Sequence, residues 1–121
     1  MELQEDLIRY IWLHYSEYWT DLEQEAYAHH FAQRELLRFK DRGIPEVNER
    51  YLKLTSTDPK VLALLKDGYP TFIKNVATRI YHEDRKNLNI NRCPKCNGLA
   101  RTPKARQCRY CFHSWHEKTI E

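Results

Sequence analysis

The chain has 121 residues, a formal net charge of +3 and 41% hydrophobic residues. This length suits one ordinary core plus a small appendage, and the lack of any run of about 18 apolar residues speaks against a membrane-spanning helix. The charge is uneven: residues 1 to 84 hold 11 Lys+Arg against 15 Asp+Glu, a balance of −4, whereas residues 85 to 121 hold 9 against 2, a balance of +7. A basic tail of this kind suits an anionic partner, or docks on its own acidic helical part.

The first apolar series is Leu3, Leu7, Ile8, Ile11, Trp12, Tyr15, Tyr18 and Trp19. Its steps of three and four predict an amphipathic helix with a broad aromatic stripe, more in keeping with a core than with a ligand site. Thr20-Asp21-Leu22-Glu23 is a capping box and predicts a second helix running to a stop near Gly43, with Pro45 just beyond. The short break between the two helices predicts an antiparallel hairpin. Pro45 to Leu54 reads as a third helix. Thr57-Asp58-Pro59 opens a fourth, which ends before Gly68. Tyr69-Pro70 reads as a break and Thr71 as the cap of a last helix ending near Asp84. Arg85 to Arg92 contains three asparagines, which favour turns, and forms the expected linker. The sequence displays no evident internal repeat and no low-complexity tract.

All four cysteines lie in the last third, as Cys93-Pro94-Lys95-Cys96 and Cys108-Arg109-Tyr110-Cys111. Two Cys-x-x-Cys pairs flanking a short loop supply four thiolates at the corners of a tetrahedron, the geometry that a structural zinc ion prefers. The acidic start, Met1-Glu2-Leu3-Gln4-Glu5-Asp6, lacks the basic region of a secretory signal and predicts a cytoplasmic location. In a reducing cytoplasm paired thiols bind metal more often than they form disulfides. Iron in place of zinc, a redox dithiol and a disulfide are the competing uses of the same residues. Four thiolates leave no open position for a reacting water, so the expected ion is one structural Zn2+ held by Cys93, Cys96, Cys108 and Cys111. His113 and His116 flank the last cysteine as substitute ligands.

Cys-Pro-Lys-Cys-Asn-Gly, at residues 93 to 98, resembles the first knuckle of zinc-ribbon modules, and the resemblance covers residues 92 to 116. It implies a tight turn that converges two thiolates, with Asn97 and Gly98 leaving it at positive φ. The remainder implies two short strands, Leu99-Ala100-Arg101 and Arg106-Gln107, joined by a turn at Thr102-Pro103-Lys104-Ala105. In the second knuckle Phe112 stands where such modules usually carry glycine. Phe112 and Trp115 are expected to cover the metal site, or else to stack on bases.

The expected architecture is thus mainly α: a small bundle of about five helices (residues 1–84), a linker (85–92) and a β-hairpin, zinc-ribbon-like module (93–121). The expected role is non-enzymatic binding or adaptation. Nucleic acid is the first candidate partner, touched by Lys95, Arg101, Lys104, Arg106, Arg109 and Trp115. A protein partner, contacted as by an inhibitor, immunity-like factor or assembly subunit, is the alternative; neither a membrane nor a small-molecule substrate is implied. A third possibility is a metalloenzyme. His14 with Glu17 and Glu25 with His29 have the helical spacing for a bundle metal site, but that site needs further carboxylates, with Glu46, Glu49, Glu83 and Asp84 as loose candidates. No glycine-rich phosphate loop or nucleophile elbow is present.

Overall fold

The computed structural model describes residues 3–39 and 42–115. It is mainly helical, with α1 (Glu5–His14), α2 (Asp21–Phe31), α3 (Pro45–Leu54), α4 (Pro59–Leu64) and α5 (Tyr69–Glu83) in chain order. Two compact units result, Met1–Tyr18 with Ala77–Glu121, and Trp19–Val76, the boundary falling inside α5. The chain is therefore divided at other positions than 84 and 92. α1 and α2, expected as one hairpin, belong to different units.

In the unit Trp19–Val76, α2 begins as its capping box dictates. Thr20 Oγ1 accepts from Glu23 N at 3.1 Å, and Glu23 Oε1 accepts from Thr20 N at 2.8 Å; this reciprocal use explains why the Glu23 carboxylate is buried. The helical path continues through a wide π segment (Ala32–Leu36) and a 3₁₀ turn (Leu37–Phe39). Gly43 then takes φ +78°, a conformation open to glycine at little cost. α3 and α4 each carry proline in the first turn, where its missing N–H is not needed. Asp58 Oδ1 caps α4 by accepting from Lys60 N at 2.9 Å. Tyr69-Pro70 is not a break: it forms the first turn of α5, for the same reason. Gly68, at φ +97°, marks the entry in place of Thr71, and its carbonyl accepts from Phe72 N at 3.0 Å. α2 packs against α3 and α4, and Ala26, Ala32, Val61, Phe72 and Val76 are buried.

In the other unit α1 stops at His14, short of the expected Trp19, and a 3₁₀ turn covers Ser16–Tyr18. Leu3, Leu7, Tyr10, Ile11 and Tyr15 are buried, as are Ala77 and Ile80 of α5 and Leu88. Half of the expected apolar stripe is core, Ile8, Trp12, Tyr18 and Trp19 being only half-buried, and tyrosine hydroxyls serve the segment expected to be a linker. Tyr10 Oη donates to Asn89 O at 2.6 Å and accepts from Asn91 N at 3.2 Å. Tyr15 Oη accepts from Asn89 N at 2.7 Å and also donates to Asn89 O, at 3.1 Å. The asparagine side chains continue the path: Asn89 Nδ2 donates to Pro103 O at 2.9 Å, and Asn91 Nδ2 to Thr102 O at 3.1 Å and Ala105 O at 2.8 Å.

Those bonds account for a second departure from expectation. No sheet forms among the described residues, and the hairpin between Leu99–Arg101 and Arg106–Gln107 is absent. The loop carbonyls take asparagine side chains as donors, while isolated antiparallel bridges join Arg92 to Leu99 and Gln107 to Ser114. Each cysteine turn closes on itself.

Tyr10→Phe removes the acceptor of the Asn91 N–H and one donor to the Asn89 carbonyl. It is expected to cost about 1–3 kcal/mol, read as a lower urea midpoint at unchanged m value; an unchanged midpoint would contradict this role.

Candidate metal centre

The metal-binding segment is one turn made twice, offset by 15 residues, Cys93 matching Cys108 and Cys96 matching Cys111. In the first turn Cys93 N donates to Gly98 O at 2.8 Å and Asn97 N to Cys93 O at 2.8 Å; in the second, Cys108 N donates to His113 O at 2.8 Å and Phe112 N to Cys108 O at 3.1 Å. The residue after each second cysteine is left-handed, Asn97 at φ +62° and Phe112 at φ +64°. No such repeat is evident in the sequence beyond the cysteine spacing, because unlike residues occupy the matched positions, Asn97 with Phe112 and Gly98 with His113.

The two turns bring all four sulfurs within 4.8 Å of one another. Cys93 Sγ lies 3.7 Å from Cys111 Sγ and Cys96 Sγ lies 3.5 Å from Cys108 Sγ. Zinc–sulfur bonds of about 2.3 Å in a tetrahedron set sulfurs about 3.8 Å apart, whereas a disulfide needs about 2.05 Å. The donor set therefore fits a single tetrahedral ion with four thiolates, consistent with one zinc. Backbone N–H groups already point at the buried sulfurs: Lys95 N and Cys96 N donate to Cys93 Sγ at 3.3 and 3.5 Å, and Tyr110 N and Cys111 N to Cys108 Sγ at 3.3 and 3.4 Å. Such bonds disperse thiolate charge.

The same bonds set the thiol acidities. At Cys108 the Cys111 N–H outweighs burial and, with the Tyr110 N–H, brings the thiol down to about 6. Burial pushes the Cys93 thiol up, yet the Cys96 and Lys95 N–H groups prevail and leave it below its usual value. Cys96 gains from the Gly98 N–H, but sharing a proton with the Cys108 sulfur overrides that gain and pushes it up to about 12.

The aromatics divide sharply. Trp115 is buried with Cys93 and Cys108 and covers the inner sulfurs. Phe112, expected as a second cover, is 72% exposed, and Tyr110 is 55% exposed. Gly98 explains how Tyr110 lies: a Cβ there would sit 2.6 Å from Tyr110 Cδ2 and 3.2 Å from Cys96 Sγ. Glycine is needed at 98 for close approach of the second turn's ring, and not for a positive φ. The Arg109 guanidinium lies 4.9 Å from the centre of the Tyr110 ring. Lys95, Arg101, Lys104 and Arg106 are exposed, and Arg109 is half-buried.

Among the described residues, the four cysteines are the one group of three or more metal-ligand side chains close enough to share an ion. His113 stacks beside Trp115, and His116 lies outside the described residues. The helical histidines are engaged elsewhere: His14 Nε2 lies 3.2 Å from the Arg101 carbonyl and must donate to it, and His29 Nδ1 accepts from Ser56 N at 2.9 Å. No helix is long and apolar enough to cross a membrane among the described residues.

The fold and site together define a mainly helical protein with a four-cysteine metal-binding module. No protein-family model, curated protein or solved structure matches the chain.

Zinc must displace thiol protons to bind four thiolates, so its affinity is expected to fall steeply as pH is lowered from about 7.5 to about 5.5. Competition with a chelator at several pH values reads this. An affinity independent of pH would contradict thiolate ligation.

Proposed function

We propose that the protein is a non-enzymatic, cytoplasmic nucleic-acid-binding factor whose zinc-ribbon-like module, built on one structural Zn2+, engages single-stranded nucleic acid. The observation that carries this is Phe112. A bulky side chain in left-handed backbone is costly, and a ring 72% exposed returns nothing to the core. Such a cost points to a task at the surface. Tyr110 stands two residues away, and exposed Lys95, Arg101, Lys104 and Arg106 supply charge for phosphates. Exposed rings amid cations are the combination by which proteins hold unpaired bases and their backbone. Trp115, being buried, is replaced by Phe112 and Tyr110 as the stacking residues.

Docking of a partner protein is the alternative. The first aromatic stripe offers no fully exposed patch, Tyr15 being buried and Trp12, Tyr18 and Trp19 half-buried; α3 favours it, because it buries no residue and leaves Leu52 69% exposed.

Phe112→Gly separates function from stability. Relief of the left-handed strain is expected to stabilise the zinc-loaded protein by about 1 kcal/mol. Loss of the ring is expected to weaken oligonucleotide binding by about 1–3 kcal/mol. Fluorescence anisotropy at several salt concentrations and thermal unfolding read the two effects. Unchanged affinity in Phe112→Gly, or no binding by the parent protein at low salt, would overturn the proposal.

A further inference from the structure

Within the unit that holds the cysteines, a cavity of about 380 Å³ opens between α1, residues 99–101 and the second cysteine turn. Its lining residues include three arginines, Arg9, Arg101 and Arg109, two acidic residues, Glu5 and Asp6, and Tyr110. Among the described residues no ion pair or hydrogen bond joins these carboxylates to these guanidinium groups. The volume falls in the range of small-molecule sites, about 300–1,000 Å³.

The charge pattern selects the ligand class. A simple anion would satisfy the guanidinium groups and be repelled by the two carboxylates. A simple cation would meet the reverse. A nucleotide answers both: its phosphate takes guanidinium donors, an amino-bearing base edge donates to carboxylates, and the base has a π face for Tyr110. We propose that this cavity binds one phosphate-bearing nucleotide, with its phosphate on Arg101 and Arg109, its base against Tyr110, and the amino edge of guanine, adenine or cytosine on Glu5. Asp6 is a weaker choice for that edge, as its Oδ1 already accepts from Leu7 N at 2.7 Å. His14, with its Nε2 proton committed to the Arg101 carbonyl, holds that backbone at the cavity wall.

This deepens the proposed function and rests on it for the ligand class, the nucleotide coming either from a strand or from the free pool. The test uses the full-length zinc-loaded protein, with the four ribonucleoside 5′-monophosphates, inorganic phosphate and a short single-stranded oligonucleotide as probes, in calorimetry and in NMR of the His14 ring. The monophosphates of guanosine, adenosine and cytidine are expected to bind more tightly than that of uridine, whose base edge lacks an amino group, and all more tightly than phosphate. Arg101→Gln is expected to weaken them at least about tenfold, and Glu5→Gln to abolish the preference over uridine. Binding that shows no base preference, or that Arg101→Gln leaves unchanged, overturns the proposal. Oligonucleotide binding without mononucleotide shifts at His14 overturns the pocket and leaves the strand-binding function standing. Mononucleotide binding without oligonucleotide binding does the reverse.

Discussion

Four sulfurs within 4.8 Å of one another cannot all carry charge unless a cation lies among them. That constraint governs the C-terminal segment. Its apolar resources are small: Leu99, Ala100 and Trp115 are the buried side chains other than cysteines between residues 93 and 115. Fully burying a large one contributes about 1.5–3 kcal/mol, whereas a structural zinc in small modules contributes about 10–16 kcal/mol at neutral pH. A zinc bound there would therefore outweigh the apolar contacts, and the backbone is arranged to receive it. Four N–H groups face the two buried sulfurs, two from each turn.

From that centre the structure extends by hydrogen bonds. Tyr10 and Tyr15 place their hydroxyls on Asn89 and Asn91, and those asparagines hold the loop from Thr102 to Ala105. The segment between α5 and the cysteines is thus a bracket. It uses the polar tips of two buried tyrosines, a common service of tyrosine in cores. The surface facing outward is then left to Tyr110, Phe112 and the basic residues, where the proposed strand contact lies.

Much of this was legible in the residues. The capping box at Thr20, the Asp58-Pro59 start and the four-cysteine spacing each encode a local rule, and local rules survive folding. What was not legible depended on partners distant in sequence. Tyr69-Pro70 looked like a break because proline disfavours helix interiors, yet a first turn tolerates it. The Leu99–Arg101 and Arg106–Gln107 stretches looked like strands, but Asn91 captured the loop between them. The sequence leaves Phe112 as either cover for the metal site or a ring for stacking; its left-handed backbone turns it to solvent, and Trp115 takes the buried place. The cavity beside α1 could not be foreseen, since its residues come from opposite ends of the chain.

Cobalt titration of the metal-free protein tests the central claim most directly. Saturation at one equivalent is expected, with the intense visible absorption of tetrahedral cobalt and the strong charge-transfer bands of thiolate ligands, both lost when zinc displaces it. Substitution of Cys93 by serine should weaken the charge-transfer band and the affinity together. A weak octahedral spectrum, or binding unaffected by loss of Cys93, would contradict a tetrahedral four-thiolate centre.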